Sequence, residues 1–156
     1  MERTLIILKP DAIQRALVGK IINRFEEKGL QLVGMKMQMI SEELAAAHYA
    51  PHKGKPFYER LIRFMTSSPV VVLALQGKGA IEISRKMMGA TFGFKAEPGT
   101  IRGDFGVSSS FNLIHGSDSP ESAKAEIELW FKPEELTTFD LANRVWTYDF
   151  STGQPE

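Results

Sequence analysis

Short apolar runs alternate with segments of helical periodicity along this chain. Continuous apolar runs at Leu5–Leu8 and Val70–Leu75 predict buried strands, because a strand covered on both faces carries no charge. Residues 30–39 alternate apolar and polar positions with one change of phase, which predicts a strand with an irregularity near Gly34. A last apolar run predicts a fourth strand at Phe111–His115. The alternating methionines of the second strand could form an adaptable binding face, but their strict alternation favours one side of a core.

Helices are predicted from apolar residues at helical spacing and from capping residues. Ser41 precedes two glutamates and can cap one helix, while Asp118 or Ser119 can cap another whose first residue is Pro120. The predicted helices cover residues 15–28, a pair within 41–66, Ala80–Met88, and a last segment from Pro120 to just before Pro133.

The order of these elements predicts the fold class. It contains the βαββαβ unit of ferredoxin-like folds, with the helical pair at 41–66 inserted between the second and third strands. We therefore predict an α+β fold, a four-stranded antiparallel sheet covered by helices, in one domain over residues 1–156. Residues 89–110 show no period and predict a long loop, which in a compact domain is usually functional or disordered. The apolar tail at 134–156 is expected to pack on the body or on a neighbouring subunit.

Composition narrows the possible functions. Among 156 residues, 19 basic side chains balance 19 acidic ones, which argues against a dedicated nucleic-acid-binding protein. The chain has no cysteine, which excludes disulfides, thiolate zinc sites and a cysteine nucleophile. No apolar stretch approaches the length of a membrane span, and the apolar run near the N-terminus is too short for a signal peptide. We therefore expect a cytoplasmic enzyme or binding domain.

Histidines are the first candidates for chemistry, since no P-loop or dinucleotide-binding glycine motif occurs. His48 and His52 are four residues apart, but Pro51 should break the helix that would align them on a metal. His115 ends an apolar run next to a predicted helix N-terminus, where unpaired N–H groups attract phosphate. A neutral imidazole there suits attack on a phosphoryl group, although a buried packing histidine is the commoner explanation of such a residue.

Cationic side chains stand where ligand groups gather in folds of this kind. Lys9 ends the first strand, Arg85 precedes the long loop, Arg102 lies inside that loop, and His52 lies in the insertion. Each alone is most simply a solvated surface group. If the fold brings them together, they form a clamp for a polyphosphate.

Five segments together resemble the nucleoside diphosphate kinase family from end to end. They are Leu8-Lys9-Pro10-Asp11, His48-Tyr49-x-x-His52-x-x-Lys55-Pro56-Phe57, Gly89-Ala90-Thr91, Pro98-Gly99-Thr100-Ile101-Arg102-Gly103-Asp104-Phe105 and Asn112-x-x-His115-Gly116-Ser117-Asp118-Ser119. The resemblance implies a ping-pong reaction in which ATP or another nucleoside triphosphate phosphorylates His115, and the phosphohistidine then phosphorylates a nucleoside diphosphate. It also implies Mg²⁺ carried on the nucleotide phosphates, with no metal site on the protein. The implied assembly is a homo-oligomer, a hexamer or a tetramer, and the long apolar tail favours the hexamer.

The resemblance further implies a role for each matched residue. The implied catalytic residues are His115, Lys9, Glu126, Ser117, Tyr49 and Asn112. The implied nucleotide-binding residues are Lys9, His52, Phe57, Leu61, Arg85, Thr91, Arg102 and Asn112. Glu126 is expected to orient the histidine, and Phe57 to stack on the base with low base selectivity.

Two positions depart from the pattern of the family. Phe92-Gly93 stands where the family usually has Asn-Pro, which should cost about 0.5–1 kcal/mol through a more flexible unfolded chain. Ser110-Phe111 stands where Gly-Arg is usual.

Two other functions compete with this interpretation. One competing function is a module binding nucleotides or single-stranded nucleic acid. Such modules use exposed aromatic residues on central strands, and the two continuous apolar runs carry none. The other is a relative that has lost catalysis.

Overall fold

A four-stranded antiparallel sheet forms the centre of the molecule. A computed structural model describes residues 1–156. The strands are β1 (Glu2–Leu8), β2 (Gln31–Gln38), β3 (Val70–Gly77) and β4 (Ile114–Gly116). Their order across the sheet is β2-β3-β1-β4, and every neighbouring pair is antiparallel. The predicted α+β, ferredoxin-like class is confirmed.

Helices cover both faces of the sheet. They are α1 (Pro10–Gln14), α2 (Val18–Glu27), α3 (Glu42–His48), α4 (Tyr58–Met65), α5 (Ala80–Met88), α6 (Ile101–Phe105), α7 (Pro120–Trp130) and α8 (Arg144–Thr147), with short 3₁₀ turns at Ala50–His52, Gly93–Lys95 and Pro133–Glu135. Alternate residues of β1 enter two separate cores. Ile6 and Leu8 pack with α2 and α5, while Leu5 and Ile7 pack with α3, α4 and α7. The longest helix has 11 residues, and none is long and apolar enough to cross a membrane.

Several local predictions are confirmed. The register of β2 against β3 shifts between Leu32 and Gly34, where the change of phase predicts an irregularity. The Ser41 hydroxyl accepts from the Leu44 N–H at the start of α3. Ser119, one of two predicted caps, accepts from the backbone N–H of Ser122 at the start of α7.

Other predicted boundaries are wrong for identifiable reasons. The helix predicted over 15–28 is α2, which begins only at Val18 because Ala16 has φ +55° and interrupts the helical conformation. The short helix α1 before it was not predicted. The loop predicted over 89–110 contains α6, which Thr100 caps through the Gly103 N–H. The predicted last strand begins three residues late, because Leu113 has φ +71° and no strand accommodates that conformation.

Met35 and Met37 of β2, and Met39 just after it, do not face a core as expected. Met35, Met37 and Met39 are 60%, 59% and 57% exposed. Met35 pairs with Leu73 of β3, but β2 is an edge strand of the sheet and has a neighbouring strand on one side only.

The tail packs on the body over only part of its length. The Thr137 N–H donates to the carbonyl of Val33, and the Tyr148 hydroxyl accepts from the Lys78 N–H. Trp146 remains 90% exposed.

The departure at Phe92-Gly93 has a structural basis. Gly93 is buried against the backbone of Gly106, and a Cβ at residue 93 would overlap the Gly106 carbonyl oxygen. Glycine is therefore what allows this loop to close against the body, which the sequence comparison with the family pattern did not indicate.

Candidate active site

His115 is held by a carboxylate from the helix that follows it. It lies half-buried in β4, opposite Ile7 of β1. Its Nε2 is 2.7 Å from Glu126 Oε2 on α7. With the Nε2–H donating to that carboxylate, Nδ1 keeps its lone pair. The bond therefore fixes both the tautomer and the direction of the ring.

Glu126 is held in turn by Ser117. The Ser117 hydroxyl donates to Glu126 Oε1 at 2.6 Å and accepts from the Leu5 N–H at 3.2 Å. Burial acts to raise the pKa of Glu126, but hydrogen bonding and charge from His115, with the Ser117 bond, lower it by more. Glu126 is thus a carboxylate with both oxygens occupied, and Ser117 ties it to β1.

His48 and Trp130 form a second support for the His115 ring. The His48 ring lies edge-to-face against that of His115, with centroids 4.5 Å apart at 84°. Trp130 Nε1 donates to His48 Nδ1 at 3.0 Å. Burial, and then the charge of His115, lower the pKa of His48 to about 3. His48 is therefore a neutral acceptor that restrains His115 by contact.

Lys9 and Asn112 form a buried pair beside this group. Lys9 Nζ donates to Asn112 Oδ1 at 2.8 Å, and Asn112 Nδ2 donates to the Thr91 carbonyl at 2.9 Å. Burial, and then the charge of Arg102, lower the pKa of Lys9 to about 8. Asn112 therefore holds the Lys9 ammonium in a fixed position, and the bond from Asn112 to Thr91 connects this pair to the long loop.

Arg102 holds the backbone that leads to His115. Its guanidinium donates to the carbonyls of Asn112 at 3.1 Å, Gly89 at 3.0 Å and Ile114 at 2.6 Å. Burial, and then the charge of Arg85, lower the pKa of Arg102 to about 10. The group therefore stays charged at neutral pH while it braces the segment.

The left-handed residue Leu113 is also held by Lys9, which follows β1, and by Asp11 of α1. The Lys9 N–H donates to its carbonyl at 2.8 Å, and its own N–H donates to Asp11 Oδ2 at 3.0 Å. Burial raises the pKa of Asp11 more than the Leu113 hydrogen bond lowers it. A non-glycine residue at positive φ is uncommon, and these bonds are what keep it there.

Arg85 and Tyr49 complete the inner part of the site. Arg85 Nη1 lies 3.3 Å from the Gly116 carbonyl, and the side chain is otherwise exposed. The Tyr49 hydroxyl is buried without a partner in the chain. Burial, and then the charge of Glu126, raise the pKa of Tyr49, so the hydroxyl keeps its proton and can donate it.

The outer part of the site lies on the helical insertion. His52 Nδ1 is 3.0 Å from Lys55 Nζ, and the His52 and Phe57 ring centroids are 5.5 Å apart. Phe57 is 39% exposed and Leu61 is half-buried. Burial and the charge of Lys55 lower the pKa of His52. This part of the cleft presents an aromatic face and a neutral imidazole to solvent.

The donor set of the inner site suits anions better than a hard cation. The one group close enough to share a metal is His48, His115 and Glu126, whose ligand atoms lie within 4.8 Å of one another. Glu126 is already bound by His115 and Ser117, and His48 Nδ1 by Trp130. Mg²⁺ prefers several free oxygens, which these residues do not offer.

The structure links most of the predicted site residues by direct contacts. Lys9, Thr91, Arg102 and Asn112 share one hydrogen-bond network, and His115, Ser117 and Glu126 share another. Tyr49, His52 and Phe57 line one side through ring contacts, whereas Arg85 and Leu61 only border the group.

Sequence reasoning from residue types alone did not assign His48 or Trp130 a role. The spacing of His48, Pro51 and His52 concerns a metal pair only and does not indicate that His48 packs against His115. The His48–Trp130 bond joins residues 82 positions apart, and no spacing rule reaches that far.

The chain is similar to proteins of one family. The family model described as nucleoside diphosphate kinase matches residues 2–136. The nucleoside diphosphate kinase of Carboxydothermus hydrogenoformans is 56% identical over 149 residues, which are 96% of this chain and 100% of that protein. That of a Synechococcus species is 54% identical with the same coverage.

Solved structures give the same result. A halophilic nucleoside diphosphate kinase from Halobacterium salinarum in complex with CDP superposes with a TM-score of 0.93 at 46% identity, covering 95% of this chain and 99% of that one. A nucleoside diphosphate kinase family protein from Babesia bovis superposes with a TM-score of 0.92 at 44% identity, covering 95% of this chain and 100% of that one.

Proposed function

Since the chain belongs to the nucleoside diphosphate kinase family, and is thus a phosphotransferase between nucleoside triphosphates and diphosphates, we propose that His115 carries the phosphoryl group. The observation that supports this most directly is the 2.7 Å bond from His115 Nε2 to Glu126. It leaves Nδ1 as the nitrogen with a free lone pair, which is the state that nucleophilic attack requires.

The proposed reaction has two half-reactions through this nitrogen. In the first, Nδ1 attacks the γ-phosphorus of a nucleoside triphosphate such as ATP; an N–P bond forms, the bond to the bridging oxygen breaks, and a nucleoside diphosphate leaves. In the second, a terminal phosphate oxygen of another nucleoside diphosphate attacks the phosphorus, and the N–P bond breaks. Glu126 stabilises the positive charge that develops on the imidazole in both directions.

The phosphates are held, in this proposal, by the cationic groups around the cleft. Lys9, already mounted on Asn112, faces the transferred phosphoryl group, and the buried Tyr49 hydroxyl donates to it. His52, Arg85, Thr91 and Arg102 bind the inner phosphates. Little covalent chemistry is asked of these residues, because phosphoryl transfer depends mainly on position and charge.

The base is placed on the exposed outer part of the cleft. Phe57 stacks on it with Leu61 alongside, and Asn112 with Lys9 faces the sugar. The CDP complex of the Halobacterium salinarum relative supports binding of a nucleoside diphosphate by this fold. Stacking on an exposed ring accepts every base, so we expect low base selectivity.

Mg²⁺ belongs to the substrate in this proposal, bound to the nucleotide phosphates. The inner site is lined by cations and by a carboxylate whose oxygens are already bonded, so it fits a Mg²⁺–nucleotide complex better than a resident ion. The metal supplies neutralisation of charge on the phosphates, while the protein orients them.

We further propose that residues 1–156 form one domain that works as a cytoplasmic hexamer. Exposed apolar side chains on the edge strand β2 and in the tail, among them Met35 and Trp146, support self-association. A tetramer is the alternative assembly. Sedimentation at micromolar concentration distinguishes the two.

Phosphoenzyme formation tests the proposed function. The purified protein is incubated with γ-labelled ATP and Mg²⁺ and then chased with unlabelled GDP, beside His115→Ala. We expect an acid-labile label on the unsubstituted protein alone, which moves quantitatively to GTP. The competing inactive or nucleic-acid-binding module predicts no label on a well-folded protein, and that result would overturn the proposal.

A further inference from the structure

A pair of aromatic rings joins the two halves of the cleft directly. Phe64 lies on α4, within the helical insertion, and Phe111 immediately precedes Asn112. Their ring centroids are 4.7 Å apart at 19°, a stacked geometry. Phe111 is 53% exposed, whereas Phe64 is half-buried and packs against the core formed with α3, α4 and α7. The stack therefore lies at the edge of that core, with Phe111 on the surface.

Phe64 is on the nucleoside-binding side of its helix. Phe57, Leu61 and Phe64 are spaced four and then three residues apart, which places them along one face of α4. A displacement of that face moves the proposed base platform at Phe57 together with Phe64.

Phe111 immediately precedes residues 112–117, the segment that contains Asn112 and His115. Asn112 is fixed by Lys9, Thr91 and Arg102, and Arg102 also donates to the carbonyl of Ile114, the residue before His115. Before Phe111, the exposed loop is held by local bonds from the N–H groups of Ser110 and Phe111 to the Ser108 hydroxyl.

We propose that the Phe64–Phe111 stack is a positioning contact that sets α4 against the catalytic segment 112–117, so that one nucleotide reaches Phe57 and His115 together. Phe111 touches neither reacting atom and acts through α4. The proposal rests on the proposed function, because it assumes that the base lies on Phe57. It also assigns a use to a residue that departs from the family pattern, where arginine is usual.

The stack should govern nucleotide binding and leave the chemical step unchanged. The groups around His115 are held by the buried networks of Glu126 and Asn112, which do not include Phe64. Once a nucleotide is bound, the phosphoryl group meets the same surroundings with or without the stack. Without the stack, α4 keeps its core contacts through Met65 but loses its direct contact with the residue before Asn112. The spacing between Phe57 and His115 is then less closely fixed, and fewer encounters place the base and the phosphates together.

Single-turnover phosphorylation of His115 tests this inference. The rate of labelling by γ-labelled ATP is measured over a range of ATP concentrations for Phe111→Ala, Phe64→Ala and the double variant. We expect the half-saturating ATP concentration to rise roughly 2- to 12-fold, the range given by the worth of an aromatic pair, with a maximal rate within about twofold of the parent. The double variant should be no worse than either single one.

Matched variants separate positioning from general damage. Phe94→Ala removes another exposed aromatic ring, one that contacts Phe92 and Lys95, and it should leave both parameters unchanged. Phe111→Trp keeps a flat aromatic ring that can stack on Phe64, and its affinity for ATP should stay near that of the parent. Phe111→Leu keeps apolar bulk but has no ring to stack, and its affinity should be as low as that of Phe111→Ala.

The outcomes that overturn the inference are distinct from failure of the proposed function. An unchanged half-saturating concentration in Phe111→Ala, a fall in maximal rate alone, or additive effects in the double variant would each refute a positioning role. Absence of label on the unsubstituted protein would instead refute the proposed function.

Discussion

The residues around His115 and the residues around Phe57 are held in opposite ways. On the inner side, Lys9, Arg102 and Glu126 are buried or nearly so, and each is fixed by hydrogen bonds to other parts of the chain. On the outer side, Phe57 is exposed, and His52 has one polar neighbour, the flexible Lys55.

This difference matches what the proposed function requires of each side. Phosphoryl transfer requires charges placed in advance around one phosphorus atom, because any reorganisation during the reaction adds to the barrier. A nucleobase requires only a flat apolar surface if every base is to be accepted. The rigid side therefore faces the phosphates, which are the same in every nucleotide, and the less restrained side faces the base, which differs between nucleotides.

Glu126→Gln should produce the largest effect, on the inner side. The amide can donate to His115 Nε2, which moves the ring proton to Nδ1 and removes the attacking lone pair. We expect kcat to fall at least about 100-fold with little change in KM. Steady-state transfer from ATP to GDP measures this, with the exposed Glu128→Gln on the same helix as control. A loss below about threefold would contradict an orienting role for Glu126.

Phe57→Ala should affect the outer side and produce the opposite kinetic signature. Loss of a stacking face that is partly exposed should raise KM for nucleoside diphosphates roughly 5- to 30-fold, by a similar factor for purines and pyrimidines, with kcat retained. Parallel assays with GDP, CDP and UDP measure it. If one base alone is affected, the outer side is selective and the comparison between the two sides fails.

Deprotonation of Lys9 at alkaline pH should lower kcat/KM by less than the two substitutions above, and it acts on the inner side. Burial, and then the charge of Arg102, lower the pKa of Lys9 to about 8, so its ammonium loses its proton as the pH rises through that value. We expect kcat/KM to decline roughly tenfold per pH unit above it. A profile that stays flat to pH 10 would exclude Lys9 as the charge-bearing clamp.

The pH dependence of the free energy of unfolding distinguishes this decline in kcat/KM from unfolding of the protein at alkaline pH. Between the folded pKa of about 8 and the unfolded value of 10.5, the unfolded chain binds more protons at Lys9. By linkage, the contribution of Lys9 to the free energy of unfolding rises with pH across that window. Activity should therefore fall while this contribution increases. Lys95→Met, which removes an exposed lysine, should keep the same profile.

Trp130→Phe should produce the smallest effect, on the support behind His115. The substitution keeps an aromatic ring in the core but leaves the buried Nδ1 of His48 without its donor. We expect a loss of about 1–2 kcal/mol in the free energy of unfolding and a change in kcat within about threefold. Urea denaturation measures the first quantity. An unchanged midpoint would show that His48 finds another partner.

The amino-acid sequence alone determined the elements whose causes are local. The apolar runs of β1 and β3, the caps at Ser41 and Ser119, and the irregularity near Gly34 follow from hydrophobic spacing and from single side chains acting on nearby backbone. The βαββαβ order followed from them. The motif around His115 identified the family and, by resemblance, the residues of the site.

Only the tertiary structure decided how those residues are held. The Lys9–Asn112 bond joins positions 103 residues apart, and the left-handed turn at Leu113 depends on Asp11, 102 residues away. The exposure of the methionines depended on β2 being an edge strand. The Phe64–Phe111 stack follows from the fold's placing α4 beside the catalytic segment. Contacts of this kind arise when separate elements meet, and local hydrophobic periodicity carries no information about which side chains face each other there.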